Sequence, residues 1–142
     1  MAGLWFKRVT WLGILANFGL AVPTLLAPEF MIRLIGIPTA TPVMWPQFAA
    51  LLLILLSIFY MPGANDYVRY RATAWTAVFS RLAGVIFFVG FQSREYHMFG
   101  YFDLVFFVPE VVLLTVATRS IANVATTEAT RGTEKIEQYA KV

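Results

Sequence analysis

The sequence contains no cysteine and a single histidine, His97. The absence of cysteine excludes disulfide bonds, thiolate metal sites, iron–sulfur clusters bound by this chain and cysteine nucleophiles. The lone histidine excludes a bis-histidine haem and any site that needs several imidazole ligands from one chain. There is also no phosphate-binding glycine loop, no metalloprotease helix motif and no serine nucleophile elbow. We therefore predict no catalytic residue, no metal site and no identified cofactor.

Charged residues are scarce as well. They make up 13% of the 142 residues, whereas hydrophobic residues make up 59% and the mean hydropathy is +0.70. Soluble domains carry about 25% charged residues, so a soluble fold of this composition would lack polar surface. The net charge is +3, but the basic residues flank apolar segments, which indicates membrane topology rather than nucleic-acid binding. We predict an integral membrane protein with one domain.

Four long apolar segments lie at about 5–26, 43–61, 73–91 and 101–121. A helix needs roughly 20 apolar residues to cross about 30 Å of hydrocarbon. The segments are too long and continuous for barrel strands, which alternate over about ten residues. The sequence thus predicts an all-α fold, a four-helix transmembrane bundle, followed by a polar cytoplasmic tail at 122–142.

A short amphipathic segment follows the first span. It begins at Pro28, ends at Gly36-Ile-Pro38 and places apolar residues around Glu29 and Arg33. A proline in the first turn and a glycine after the last are helix boundary signals. We predict a short interfacial helix after the first span. The alternative is that the first helix continues past a kink at Pro28.

The distribution of lysine and arginine predicts the orientation. Basic residues near spans concentrate on the cytoplasmic side of a membrane. With the N-terminus inside, the opposite side holds only Arg33 and Arg94. The cytoplasmic flanks hold Lys7, Arg8, Arg69, Arg71, Arg119, Arg131, Lys135 and Lys141. We expect both termini in the cytoplasm and a bacterial inner membrane location.

Arg81 and Glu110 are charges inside the third and fourth segments. An unpaired charge at the bilayer centre costs roughly 2.5–3.5 kcal/mol on insertion scales. Arg81 lies fifteen residues before a turn centred near Tyr96, and Glu110 lies fourteen residues after it. At 1.5 Å rise per residue, two antiparallel helices bring both charges to the same level. Small residues that allow close helix approach share the face of Arg81: Ala74, Ala77 and Gly84.

Two further polar residues are candidates for the same site. Asp103 lies seven residues before Glu110 and so on the same helix face, or it occupies the first turn of the fourth span for the helix dipole. Asn17 lies near the middle of the first span, where it could join the cluster or make an interhelical hydrogen bond. Such a cluster is either a site for a proton, an ion or a polar head group, or a structural ion pair or subunit contact.

The segment 91–103 is dense in aromatic residues. These side chains could form an aromatic belt at the membrane interface, or contact a lipid, a quinone or a pigment. Residues with which this segment could contact such a partner or a neighbouring subunit are Phe91, Tyr96, His97, Phe99 and Tyr101.

The layout of four short spans with a proline-flanked stretch at 27–38 resembles small bacterial DoxX-like membrane proteins. Gly19-Leu20 near the end of the first span and Leu34-Ile-Gly36 in the following stretch match that family in kind. The resemblance implies a four-span bundle associated with membrane redox complexes. It implies no role for Arg81 or Glu110.

These features predict a non-catalytic accessory or scaffold subunit of a larger membrane complex. The expected hosts are electron-transfer complexes, respiratory or photosynthetic, and the expected partners are the lipid bilayer and other membrane subunits. The alternative is a small membrane carrier or ligand-binding protein that uses Arg81 and Glu110.

Overall fold

The computed structural model describes residues 1–140, and within that range the chain forms helices and turns without a β-strand. The all-α class predicted from the sequence is confirmed. Of the predicted 122–142 tail, Lys141 and Val142 lie outside the described residues. The helices in chain order are α1 (Ala2–Leu26), α2 (Pro28–Ile35), α3 (Met44–Asn65), α4 (Arg71–Val85) and α5 (His97–Ala140). A π-helical turn, Ile86–Phe91, and a 3₁₀ turn, Arg94–Tyr96, join α4 to α5.

Four helical segments are long and apolar enough to cross a membrane. They are Ala2–Leu26, Met44–Asn65, Arg71–Phe91 and Arg94–Glu128. The predicted four-helix bundle is confirmed, and the chain is a small integral membrane protein. The fourth helix is longer than the predicted span, because α5 continues as one helix through the region predicted as a tail to Ala140.

The short helix α2 is separate from α1. Ala27 leaves the helical region with φ −140° and ψ 65°, and Pro28 then begins α2. At the other end Gly36 has φ +78°, a left-handed conformation that glycine adopts without a steric penalty, and its N–H donates to the Ile32 carbonyl. Met31 and Ile32 are buried, so α2 packs one face onto the bundle.

The bundle has two distinct ends. The near end holds the start of α1 and the 66–70 turn between α3 and α4, where the rings of Phe6 and Tyr67 meet edge to face at 5.7 Å between centroids. The far end holds α2, the π-helical turn and the 3₁₀ turn. Between the ends, α1 packs against α3 and α5, while α4 packs against α5 and α3.

The interior is built mostly from small or medium side chains. Buried residues form one group around Phe6, Val78 and Leu114 and a second group around Ile14 and Tyr60. Many larger apolar side chains face outward, including the leucines Leu12, Leu15, Leu52 and Leu55, which are 48–61% exposed. Soluble monomers rarely expose so much apolar surface, whereas lipid is a suitable surrounding for it.

Gly63 brings α3 and α4 into backbone contact. A Cβ atom at this position would lie 2.7 Å from the Ala74 nitrogen and 2.9 Å from the Ala74 Cα. Backbone atoms cannot change rotamer as a flexible side chain can. A side chain at Gly63 would therefore force α3 and α4 apart. The close packing of α3 on α4 therefore depends on the missing side chain.

We expect Gly63→Ala to destabilise the protein by about 1–3 kcal/mol, because it overpacks this contact. Gly19→Ala is the matched control, since a Cβ at Gly19 meets nothing within 4 Å. That control should stabilise α1 by about 0.5–1 kcal/mol, the usual helix preference of alanine over glycine. Unfolding in detergent micelles measures both effects. Equal unfolding midpoints for the two variants would contradict the backbone contact.

Candidate functional site

Three charged residues form an ion cluster inside the bundle: Arg81 of α4 with Asp103 and Glu110 of α5. Arg81 Nη1 donates a hydrogen bond to Asp103 Oδ1 at 3.1 Å. Arg81 Nε lies 3.4 Å from Glu110 Oε2. The side chain of Glu110 is fully buried and that of Arg81 is 4% exposed, whereas that of Asp103 is 22% exposed. The cluster is therefore a largely dehydrated contact between α4 and α5.

The helix period of α5 aligns its two carboxylates. Asp103 and Glu110 are seven residues apart, which is close to two turns, so both face α4. Asp103 is the one nearer the far end, and Arg81 reaches both through different nitrogens. One guanidinium thus bridges two carboxylates, and the formal charge of the cluster is −1 when all three groups are ionised.

Two glycines leave room for the cluster. A Cβ at Gly84 of α4 would overlap the Asp103 carboxylate, and a Cβ at Gly13 of α1 would overlap the Arg81 guanidinium. Phe106 covers the guanidinium with its ring, at 4.7 Å from Arg81 Cζ to the centroid. A cation at this distance from an aromatic face is attracted to it. The cluster is enclosed by α1, α4 and α5.

Several polar atoms of the cluster have no hydrogen bond among the described residues. They are Arg81 Nε, both carboxylate oxygens of Glu110 and Thr10 Oγ1. Thr10 is buried on α1 and lies beside Glu110. The Arg81–Glu110 contact is thus ionic without good hydrogen-bond geometry. The Glu110 carboxylate can therefore accept a further hydrogen bond.

An apolar layer closes the cluster on the side of the near end. Val78 lies one turn from Arg81, and Leu114 lies one turn from Glu110, both in that direction. They pack with Phe6 and Ala74, and these four side chains are 0–1% exposed. Asp103, at the other side of the cluster, is partly exposed. The polar groups therefore do not continue through the described bundle to the near end.

Asn17 belongs to a different polar contact. Its Nδ2 donates to Ser57 Oγ of α3 at 3.1 Å, and Ser57 in turn donates to the Leu53 carbonyl at 2.7 Å. A pair of hydroxyl groups, those of Tyr60 and Ser80, joins α3 to α4. The structure thus places Asn17 in the α1–α3 contact and gives it no hydrogen bond to the ion cluster.

The aromatic candidates separate into two groups. Phe91 and Tyr101 face outward, 77% and 55% exposed. Tyr96 and Phe99 line a cavity of about 390 Å³ at the far end. His97 Nε2 lies 3.1 Å from the Gln92 carbonyl oxygen, so this ring nitrogen is engaged by the local turn.

The described residues contain no group of three or more histidine, cysteine, aspartate or glutamate side chains that could hold a metal ion. No protein-family model, curated protein or solved structure matches the chain.

Three residues of the site were not among the sequence candidates: Thr10, Gly13 and Phe106. Each contacts the cluster from a direction that depends on how a helix is rotated in the bundle. Their residue types are ordinary in a transmembrane helix. One sequence feature could have indicated Thr10. It lies seven residues before Asn17, which puts two polar side chains on one face of the first span.

We expect Arg81→Leu to destabilise the protein by about 3–5 kcal/mol, because it leaves buried carboxylates without their counter-charge. The double variant Arg81→Leu, Glu110→Leu should be less destabilised than the single one, since it also removes the fully buried acid. Thermal unfolding in detergent compares them. Equal destabilisation of the single and double variants would rule out direct pairing.

Proposed function

We propose that the protein is a non-catalytic accessory subunit that serves as a scaffold in a larger membrane complex. The observation that carries this proposal is the enclosure of the ion cluster. Its one cation contacts two carboxylates and an aromatic ring of its own chain. The charges of the bundle are thereby used to hold α4 and α5 together.

The space around the cluster argues against catalysis there. A general acid or base must come within hydrogen-bond reach of its substrate. At Gly13 and Gly84 even a methyl group would overlap the Arg81 or Asp103 side chains. The Glu110 side chain itself is fully buried, so a structural role suits the geometry better.

Outward-facing aromatic side chains are consistent with a surface that binds a partner subunit. Phe79 of α4 and Phe87 and Phe91 of the π-helical turn are 51–77% exposed. Aromatic residues are enriched where proteins meet. The resemblance to DoxX-like proteins adds a preference for electron-transfer complexes, respiratory or photosynthetic, as the host.

Native mass spectrometry after extraction from the source membrane in mild detergent should find the protein with a stoichiometric partner. The variant Phe87→Ala, Phe91→Ala should release that partner. The control Leu52→Ala, Leu55→Ala, on outward positions of α3, should retain it. A monodisperse species without a partner would contradict the scaffold role.

One observation favours a second candidate, a small carrier or ligand-binding protein. Glu110 has two buried oxygens without a hydrogen bond by geometry among the described residues, and the buried Thr10 hydroxyl is beside them. A proton or a small cation is the class of ligand that a buried carboxylate takes. Loss of binding or flux in Glu110→Gln, with partner assembly intact, would favour this candidate over the scaffold.

We also propose that both termini face the cytoplasm of a bacterial inner membrane. The support is the excess of basic residues at the near end and in the region after the fourth span. The far end carries two basic residues, Arg33 of α2 and Arg94 of the 3₁₀ turn.

The lack of cysteine makes this orientation directly testable. Ser93→Cys at the far end should react with a membrane-impermeant maleimide on intact cells, because Ser93 is exposed in a turn. Val68→Cys, exposed in the near-end turn, should react only after permeabilisation. The unsubstituted chain is the blank for both. The reverse labelling pattern would show the opposite orientation in the membrane.

A further inference from the structure

The far-end cavity is distinct from the ion cluster. It has a volume of about 390 Å³ and lies between α1, α2, α3 and the segment from the π-helical turn to the start of α5. Its walls include Ala21, Ile32, Ala50 and Phe88. Pockets for small molecules in proteins have volumes of about 300–1,000 Å³. The cavity is therefore large enough for part of a ligand.

The lining is almost entirely apolar. Thr24 and Tyr96 are the lining residues with a side-chain hydroxyl, and the Thr24 hydroxyl already donates to the Leu20 carbonyl at 2.7 Å. A quinone ring or a pigment head group needs several polar contacts to fix its orientation. A hydrocarbon chain needs none. The apolar walls of the cavity therefore favour a hydrocarbon chain as the ligand.

Two exposed arginines are close in sequence to residues that line the cavity. Arg33 follows the lining residue Ile32, and Arg94 precedes the lining residue Tyr96 by two positions. Both arginines are exposed, and neither makes a salt bridge within the described part of the chain. Arg33 donates only its Nε, to the Glu29 backbone carbonyl at 3.2 Å.

Free guanidinium groups are good donors to phosphate, which they bind with two parallel hydrogen bonds. The exposed carboxylates Glu29 and Glu95 lie beside the two arginines, so this end presents both signs of charge. A hydrocarbon chain attached to a phosphate-bearing head group matches the combination. A neutral quinone would match the apolar cavity but not the two arginines.

We propose that the far-end cavity binds an acyl chain of one phospholipid, with the phosphate held by Arg33 and Arg94. The helix α2 forms one wall through Met31 and Ile32 and carries Arg33 in its last turn. The lipid is a bound component of the bundle, separate from the lipids that surround its outer surface.

Native mass spectrometry of the purified protein, released from nanodiscs of defined phosphatidylethanolamine and phosphatidylglycerol with added ubiquinone, tests this site. The expected species is the protein with one phospholipid retained. Ala50→Phe, and independently Ala40→Phe in the loop before α3, should abolish the retention by filling the cavity. The control Leu52→Phe, on the outward face of α3, should retain the lipid.

The double variant Arg33→Gln, Arg94→Gln should weaken phospholipid retention by roughly tenfold or more. Unfolding midpoints close to that of the unsubstituted protein show that each variant is folded, and Ala40→Phe covers the case in which Ala50→Phe is not. Retention of ubiquinone in place of phospholipid overturns the proposal. Retention that neither the cavity variants nor the arginine variants reduce overturns it as well.

Discussion

One guanidinium placed between two carboxylates is the interaction on which the arrangement of α4 and α5 depends. In a membrane there is little hydrophobic force between helices, so packing and polar contacts decide which faces meet. The contacts of Arg81 with Asp103 and Glu110 set both the register and the facing surfaces of these helices. The glycines at 13 and 84 follow from the same constraint, because any side chain there would occupy the space of the charged groups.

Different kinds of interaction hold different pairs of helices together. α3 meets α4 through the bare backbone at Gly63, whereas α1 meets α3 through the amide of Asn17 and the hydroxyl of Ser57. The far end contains a cavity lined by residues of α1, α2 and α3. Tight polar contacts thus lie in the middle of the bundle, and an apolar cavity lies at one end.

Much of this fold is predictable because its signals are local. Long apolar runs predict the four spans, and Pro28 with Gly36 predicts a separate short helix. The partner of Asn17 is not predictable in this way, because it depends on the rotation of α1 against α3. The π-helical turn at 86–91 carries no special residue pattern, and the helix through 122–140 continues in a region whose polarity resembles a tail.

The ion cluster also constrains how the chain enters the membrane. α4 alone would carry an unpaired cation into hydrocarbon, and α5 alone would carry two acids, each at a cost of roughly 2.5–3.5 kcal/mol near the bilayer centre. The charges compensate one another only when both helices are side by side. The connection between them is short, from Ile86 to Tyr96. We therefore expect α4 and α5 to insert together as a hairpin, in one step.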